Sequence, residues 1–296
     1  MTTAVPPHFD TIVLSGGGVL GCAHVGFIER LNPTNVSTIV GTSVGAIVGL
    51  WLTCGFTTQH MMTLIKSMNT RLLSMTGSGD DMNDVIRLGF DSGEYLTAFL
   101  MDSLIEEGWS PRITFAQLRE RTRRRLIVVI CNVCSGYVEY VSAETYPDMA
   151  VVDAVRASCG IPVMVSPFVT NAGHLWIDGG VMDNYAIDWV LRGRQRDGVI
   201  GCQLTSWKND KTVDSLATYI SSVLGCLLRQ QRQPLHQLEH VRDVTVHVDC
   251  SAICELFDFD CDDTCREQLY RLGWTRADEF LAVYQQRNRH RRRASV

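Results

Sequence analysis

The segment that most constrains the fold of this chain is Gly41-Thr42-Ser43-Val44-Gly45, in which a serine stands between two glycines. The preceding residues, 36–40, are apolar and β-branched enough for a strand, and residues 44–52 form an apolar segment of helical length. A sharp strand-to-helix turn strains its central residue and lifts the serine hydroxyl out of the sheet, at the positive end of the helix dipole. The sequence therefore predicts Ser43 as a nucleophile, with Gly41 and Gly45 letting strand and helix approach closely. Because G-x-S-x-G alone is weak evidence, the other catalytic groups must be found elsewhere in the chain.

A glycine-rich loop, Ser15-Gly16-Gly17-Gly18-Val19-Leu20-Gly21, lies between a predicted strand at residues 11–14 and a helical pattern at residues 22–31. Three consecutive glycines leave bare backbone amides at the start of a helix, and such amides bind anions. The anion is either a phosphate or the oxyanion of an acyl-transfer intermediate. Gly16, Gly17 and Gly18 are the candidate oxyanion donors.

Nucleotide binding is the main alternative for this loop, because Gly16, Gly18 and Gly21 also satisfy the dinucleotide fingerprint. That fingerprint requires an acidic residue about twenty positions later to bind the ribose. No Asp or Glu occurs between Glu29 and Asp80, and no Gly-Lys-Ser/Thr follows the glycines as in a P-loop. The sequence therefore favours the oxyanion over the phosphate.

The third motif is Asp178-Gly179-Gly180, which follows the apolar residues 175–177. An aspartate at a strand end beside two glycines can be partly desolvated, which raises its proton affinity and suits it to general-base catalysis. The alternative is a turn aspartate that caps its own backbone, the commoner case for a lone Asp-Gly. A histidine base in the order Ser, Asp, His would have to lie after Asp178, and none of the candidates lies in a loop motif of that kind. Those candidates are His236, His240, His247 and His290.

Together the three motifs resemble the patatin-like phospholipases, serine acyl hydrolases with a Ser-Asp dyad. The resemblance covers residues 11–191 and includes three supporting segments: His24-Val25-Gly26-Phe27, Ala157-Ser158-Cys159-Gly160-Ile161-Pro162 and Asn184. It implies Ser43 as nucleophile, Asp178 as base and no metal or organic cofactor. The oxyanion hole that it implies is formed by Gly16, Gly17 and Gly18, and the remaining motif glycines are Gly21, Gly41, Gly45, Gly179 and Gly180.

The activity implied by the resemblance is hydrolysis of carboxylic esters of glycerolipids through an acyl-enzyme, of the phospholipase A or lysophospholipase type. Many members of the family carry Lys or Arg where this chain has Leu20, which weakens the case for phosphate headgroup recognition. A triacylglycerol lipase therefore remains open, as do a general esterase or thioesterase and a non-catalytic lipid-binding protein of the same fold.

The predicted fold is α/β: a mostly parallel central sheet flanked by helices on both faces, in three layers of the patatin-like type. With 296 residues and 46% hydrophobic side chains, the chain can bury one large core. We expect an extension at residues 1–10, a catalytic core at 11–191, a C-terminal part of the same domain at 192–286 and a basic, disordered tail at 287–296. The predicted strands span residues 11–14, 37–40, 126–132, 137–142, 176–177, 199–204 and 244–248.

The predicted location is cytoplasmic with peripheral membrane association, because the sequence shows neither a signal-peptide pattern nor an apolar run of spanning length. Eleven cysteines without a secretory signal favour reduced thiols. An enzyme acting on acyl lipid must dock transiently on a membrane or lipid droplet. Residues 57–73 and 95–105 are amphipathic candidates on either side of a glycine-containing loop at 76–81; a lid is one hypothesis for this region, and ordinary core helices are the favoured one.

Charge argues against nucleic acid as the main partner, because the net charge is −5 although five arginines fall within the last ten residues. That tail either binds anionic lipid headgroups, nuclear import machinery or nucleic acid, or is a disordered solvated segment.

No metal site is predicted. Cys250, Cys254, Cys261 and Cys265 are spaced unlike the usual short zinc knuckles, so we expect scattered buried thiols. Residues 258–262 begin like a calcium loop but lack its glycine and its closing glutamate.

Overall fold

The strands of this protein are short and mostly apolar along their whole length, as expected where both faces of a sheet are covered. A computed structural model describes residues 8–68, 88–192, 198–207, 212–214 and 216–294. Its strands are β1 (Thr11–Leu14), β2 (Thr38–Thr42), β3 (Gly89–Asp91), β4 (Arg125–Asn132), β5 (Tyr137–Val141), β6 (Val163–Val165), β7 (Phe168–Val169), β8 (Leu175–Asp178), β9 (Val199–Thr205) and β10 (Thr245–Asp249).

Helices separate most of these strands. They are α1 (Gly21–Leu31), α2 (Val44–Cys54), α3 (Thr58–Ser67), α4 (Glu94–Glu106), α5 (Phe115–Thr122), α6 (Val151–Ser158), α7 (Ile187–Arg192), α8 (Leu216–Gln237), α9 (Glu239–Arg242) and α10 (Asp263–Ala294). Short 3-10 turns at Gly18–Leu20 and Gly179–Val181 follow β1 and β8. Both turns begin in the glycine motifs.

The central sheet has the order β10-β9-β1-β2-β4-β8-β7, with β5 also paired to β4. Neighbours from β10 to β4 run parallel, whereas β5 and β8 run antiparallel to β4. β3 and β6 form a separate two-stranded parallel sheet. Because β1 and β2 are parallel neighbours, the loops that follow them lie at the same edge of the sheet, where open α/β sheets place their sites.

Apolar side chains fill both faces of the central sheet. The larger cluster combines Ile12, Leu14 and Ile39 with helices such as α1, α2 and α6. The smaller one, on alternate strand residues such as Val13 and Val40, packs against α7. This alternation confirms the predicted mostly parallel sheet between two helical layers.

The predicted strands of the central sheet are confirmed to within two residues at each end. The sequence did not predict the short strands β3, β6 and β7, which have only two or three residues each. The first amphipathic candidate contains α3, whose Met61 and Leu64 are buried, and the second coincides with α4; the loop at 76–81 lies outside the described residues. Residues 287–294, for which the sequence predicts a disordered tail, continue α10 as a helix. Among the described residues, none of the helices is both long enough and apolar enough to span a membrane.

Candidate active site

Ser43 occupies a strained turn between β2 and α2. Its backbone has φ 53° and ψ −125°, in the positive-φ region that residues with a side chain rarely adopt. Strand and helix come so close here that a Cβ on Gly45 would lie 2.5 Å from the Leu14 carbonyl oxygen. Gly41, within β2, faces the backbone of Gly45 in the same way. The predicted elbow is therefore present in the structure.

Two strands meet head to head beside this elbow. β2 pairs with β4 as far as Thr42 opposite Val129, and β8 pairs with β4 from Asp178 opposite Ile130. β5 pairs with β4 over both ranges, so it occupies the other edge, and β2 and β8 share one edge of β4. The end of β8 therefore faces the end of β2, which brings Asp178 to Ser43.

The Ser43 hydroxyl donates a hydrogen bond to Asp178, with 2.7 Å between Oγ and Oδ2. The other carboxylate oxygen, Oδ1, accepts the Gly180 N–H at 2.7 Å, so Asp178 also caps its own turn. The turn-capping alternative is therefore present, and the same carboxylate also accepts the serine hydroxyl, so its role as base stays a prediction. Burial raises the pKa of Asp178 to about 6, although the hydrogen bonds from Ser43 and Gly180 act in the opposite direction. A carboxylate of this pKa is ionised at neutral pH and is more basic than an exposed aspartate.

Histidine does not take part in this pair within the described part of the chain, where no histidine nitrogen bonds either Ser43 or Asp178. His240 lies near Asp188, with Nε2 and Oδ1 3.6 Å apart, and His247 belongs to β10. The side chains of His236 and His290 lie outside the part that the structure describes.

The glycine loop stands next to the serine and offers two amides rather than three. The Gly16 N–H donates to the Asn184 carbonyl oxygen at 3.0 Å, which removes Gly16 from the predicted set of donors. Gly17 and Gly18 line a pocket together with Ser43 and Asp178, and their N–H groups have no hydrogen-bond partner among the described residues.

Gly18 cannot be replaced without strain. It has φ +53°, and a Cβ at this position would collide with the Leu256 carbonyl oxygen. The other motif glycines also lie around the site, since Gly21 begins α1 and Gly179 and Gly180 form the turn after Asp178.

Ser158, which the sequence places in a family-like segment without a role, supports the elbow. Its Oγ accepts the Ser43 N–H at 2.9 Å and donates to the Val129 carbonyl oxygen at 2.7 Å. The side chain is fully buried at the end of α6. The sequence shows a serine among apolar residues, which indicates a buried hydroxyl, but it does not indicate which backbone groups that hydroxyl bonds.

Gln231 on α8 is a second supporting residue, which the sequence did not single out. Its amide nitrogen donates to the carbonyl oxygens of Gly180 (2.9 Å) and Val181 (2.8 Å), while its oxygen accepts the Asn184 N–H (2.9 Å). It joins α8 to the turn that carries Asp178. Nothing in the sequence distinguishes this glutamine from its neighbours.

His24 anchors the other end of the glycine loop. Its Nε2 donates to the Ser15 carbonyl oxygen at 2.8 Å, and the side chain is fully buried in α1. Burial lowers the pKa of His24 to about 4, so the imidazole is neutral at physiological pH. This histidine has a structural role rather than a role as base.

Two pockets meet at Ser43. One, the apolar cavity, is lined mainly by apolar side chains of α2, α3 and α4, among them Trp51 and Leu96. The other contains Asp178, the two glycine amides and leucines of α8. We call it the polar pocket after its carboxylate and amides, although most of its lining is apolar. The serine therefore stands where the two pockets meet.

The cysteines do not lie scattered as the sequence predicts. Within the described residues, the Sγ atoms of Cys254, Cys261 and Cys265 lie within 4.8 Å of one another. Among the described residues, no other group of three or more His, Cys, Asp or Glu side chains has its ligand atoms this close together.

Comparison with known proteins fits this geometry. The sequence pattern of patatin-like phospholipases matches residues 12–190. The chain belongs to this family. It is 30% identical over 192 residues to the probable lipid hydrolase 463L of Invertebrate iridescent virus 6, a match that covers 63% of this chain and 65% of that protein. It is also 24% identical over 191 residues to lysophospholipase NTE1 of Mycosarcoma maydis, where the match covers 61% of this chain but only 9% of the relative. The chain thus spans less than two thirds of either relative.

Solved structures share the fold over nearly the whole chain. VipD from Legionella pneumophila matches with a TM-score of 0.68 at 16% identity, covering 95% of this chain and 68% of VipD. The type III effector ExoU matches with a TM-score of 0.53 at 15% identity, covering 95% of this chain and 54% of ExoU. The patatin-like fold is therefore established.

Proposed function

We propose that this protein hydrolyses carboxylic esters of acyl lipids, with Ser43 as nucleophile and Asp178 as general base. The observation that carries the proposal is the 2.7 Å hydrogen bond between Ser43 Oγ and Asp178 Oδ2 beside the Gly17 and Gly18 amides. Family membership supports lipid hydrolysis as the general activity. Names of relatives, probable lipid hydrolase and lysophospholipase, point in the same direction.

The reaction begins when Asp178 accepts the hydroxyl proton and Ser43 Oγ attacks the ester carbonyl carbon. The negative charge that develops on the carbonyl oxygen is stabilised by the N–H groups of Gly17 and Gly18, next to the serine. The carbon–oxygen bond to the alcohol then breaks, and the alcohol leaves with the proton held by Asp178. Water attacks the acyl carbon and gives a proton to Asp178. The bond between that carbon and Ser43 Oγ then breaks, Oγ takes the proton back from Asp178, and the fatty acid leaves. No metal or organic cofactor takes part in these steps.

The apolar cavity suits the acyl chain of the substrate. It begins at Ser43 and is lined by apolar residues of α2 and α4, and apolar walls favour burial of a hydrocarbon chain. An alcohol portion then lies on the other side of Ser43, in the pocket with Asp178 and α8.

Phospholipid is the substrate class that we put first. Leu20, where many relatives carry a cation, is fully buried and offers nothing to a headgroup. A different cation is available, because the guanidinium of the exposed Arg229 lies 4.9 Å from the centre of the Trp207 ring, beside a pocket that adjoins the polar one at Asn184. An arginine there can pair with a phosphate.

Contact with a lipid surface is proposed to occur through α8. Tyr219, Val223 and Leu227 recur every fourth residue and are 57%, 43% and 43% exposed. Leu224 and Leu228 of the same helix line the polar pocket at Ser43. An apolar helix face beside the active-site opening suits peripheral docking of the enzyme on a membrane or droplet.

Substrate panels test this function. The full chain is assayed on short soluble esters, phospholipid vesicles and triacylglycerol emulsions, with Ser43→Ala as the inactive reference and Ser110→Ala, an exposed serine away from the site, as the matched control. We expect hydrolysis of vesicle phospholipid by the wild type and the control only. Activity on emulsions alone or on soluble esters alone would assign the lipase or esterase alternative, and equal background for all three proteins would leave only lipid binding.

Two further variants test the proposed roles of Arg229 in headgroup binding and of α8 in contact with the lipid surface. Arg229→Gln is expected to raise KM on phospholipid vesicles and to leave short-ester hydrolysis unchanged. Val223→Asp is expected to weaken vesicle binding, whereas Val283→Asp, at a similarly exposed valine of α10, does not.

A further inference from the structure

Three thiols beside the active site take no part in the hydrolytic reaction. Cys254, Cys261 and Cys265 come from the loop between β10 and α10 and from the first turn of α10, and their Sγ atoms lie within 4.8 Å of one another. Cys254 and Cys261 are buried, with 1% and 7% exposure, and Cys265 is partly exposed. Such convergence of three side chains from a loop and a helix is a geometry of ligands rather than of scattered core residues.

We propose that Cys254, Cys261 and Cys265 bind a zinc ion. Zinc takes thiolate ligands at about 2.3 Å in a tetrahedral arrangement, which places the sulfur atoms roughly 3.8 Å apart. The three Sγ atoms therefore need to move only slightly closer together to bind the ion. Three protein ligands leave the fourth position of a tetrahedral site for a water molecule or another ligand.

The local backbone holds the three cysteines in place before any ion binds. The Cys265 N–H donates to Asp262 Oδ1 at 2.7 Å, which caps the start of α10, and the Cys261 N–H donates to the Asp258 carbonyl oxygen at 3.2 Å. The Cys254 carbonyl oxygen accepts the Ser206 hydroxyl at 2.7 Å. Preorganised ligands lower the entropy cost of binding.

Charge near the cluster also favours a metal thiolate. Three thiolates around a divalent cation carry one net negative charge. Arg266 lines the apolar cavity together with Cys261, has only 11% of its side chain exposed and also pairs with Asp263.

Zinc at this position would fix part of the wall around Ser43. Residues 254–261 include Leu256 and Phe257, which line the polar pocket, and Phe259, which lines the apolar cavity. The Leu256 carbonyl oxygen also accepts the Val19 N–H at 3.2 Å, so the loop contacts the glycine motif directly. The role is structural, and it holds whether or not Ser43 is the nucleophile.

Metal analysis of the purified full chain tests the proposal. The protein is reduced, desalted, incubated with zinc, desalted again and analysed for metal by mass spectrometry; a parallel titration with Co²⁺ monitors the thiolate-to-cobalt charge-transfer band. We expect about one zinc per chain and a clear band for the wild type. Cys226→Ser, which removes an exposed cysteine elsewhere, keeps both signals, and Cys265→Ser weakens binding at least about tenfold.

A second measurement requires no variant and therefore no assumption about folding. Native protein is alkylated with and without zinc, and each cysteine is mapped by mass spectrometry. Zinc should protect Cys265, the partly exposed member of the cluster, and leave the exposed Cys134 and Cys226 reactive. The proposal is overturned by a wild type that retains no zinc and gives no cobalt band, by equal binding in Cys265→Ser, or by alkylation that zinc does not change.

Discussion

The Ser43 hydroxyl and the Asp178 carboxylate bond directly at 2.7 Å although 135 positions separate them, because their strands end head to head on one edge of β4. This arrangement places a strained turn opposite a buried carboxylate without any intervening imidazole in the described structure. Rigid strands position both groups, so little reorganisation is needed before the proton moves.

Loss of either group should abolish hydrolysis. We expect Ser43→Ala to lower kcat at least about 10⁴-fold and Asp178→Asn about 10³–10⁴-fold, because no other described side chain stands ready to accept the serine proton. Initial rates on phospholipid vesicles measure both. Ser110→Ala and Asp148→Asn, at exposed positions away from the site, are the controls and should keep wild-type rates. Substantial turnover by Asp178→Asn would show that the base lies elsewhere.

Activity should depend on a single ionisation near neutrality. The pKa of Asp178 is raised to about 6 by burial, and only its ionised form accepts the serine proton. We therefore expect kcat/KM to fall about tenfold per pH unit below pH 6 and to level off above it. A pH profile on a soluble ester avoids changes in the lipid surface. A midpoint near the ordinary pKa of an exposed aspartate would contradict the buried base.

The buried, ionised carboxylate of Asp178 should lower the free energy of unfolding. Because folding raises its pKa from 3.8 to about 6, the folded protein binds this proton more tightly than the unfolded chain, and stability falls as pH rises through that interval. Asp178→Asn removes the penalty while keeping an acceptor for Gly180. We expect its free energy of unfolding to exceed that of the wild type by about 1–3 kcal/mol at pH 8, and the difference to shrink at pH 4. Denaturant titrations at both pH values measure it, and a less stable variant at pH 8 would refute the expectation.

Ser158 should act on the elbow rather than on substrate. Ser158→Ala leaves the buried N–H of Ser43 and the Val129 carbonyl oxygen without this partner, which we expect to cost about 1–3 kcal/mol of stability. The strained turn then loses its support, so kcat should fall while KM changes little. Unfolding curves and kinetics at a temperature where the variant stays folded separate the two effects. An unchanged kcat would show that the turn at Ser43 keeps its conformation without the hydrogen bond to Ser158.

Gly18→Ala tests the glycine loop against a matched glycine. Gly18 and Gly136 both have positive φ, 53° and 73°, but only Gly18 faces a backbone oxygen, that of Leu256. Alanine at position 136 should cost only the backbone strain, about 1 kcal/mol. At position 18 it should also displace an oxyanion donor and lower kcat about 10²–10³-fold. Similar effects at the two positions would argue against a role of the Gly18 amide.

The sequence predicted features that depend on neighbouring residues and missed those that depend on contacts between distant parts of the chain. The elbow around Ser43, the turn at Asp178 and the strands of the sheet are local patterns, and each was found where the sequence placed it. The roles of Gln231 and Ser158 were not predicted, because they depend on which backbone groups from distant parts of the chain the fold brings next to them. Gly16 looked like a donor by its position in the motif, yet its amide is taken by the carbonyl of Asn184. Spacing alone likewise argued against a shared site for the cysteines, since Cys254 joins the other two only through the folded loop.

The most direct test of the central claim is to trap the acyl-enzyme. Wild type and Asp178→Asn are mixed with an ester that deacylates slowly, quenched over time, and digested for mass spectrometry of the peptide that contains Ser43. We predict that the acyl group appears on Ser43 and that Asp178→Asn forms it at least about 10³ times more slowly. An acyl group on another residue, or equal rates of acylation in the two proteins, would contradict the Ser43–Asp178 mechanism.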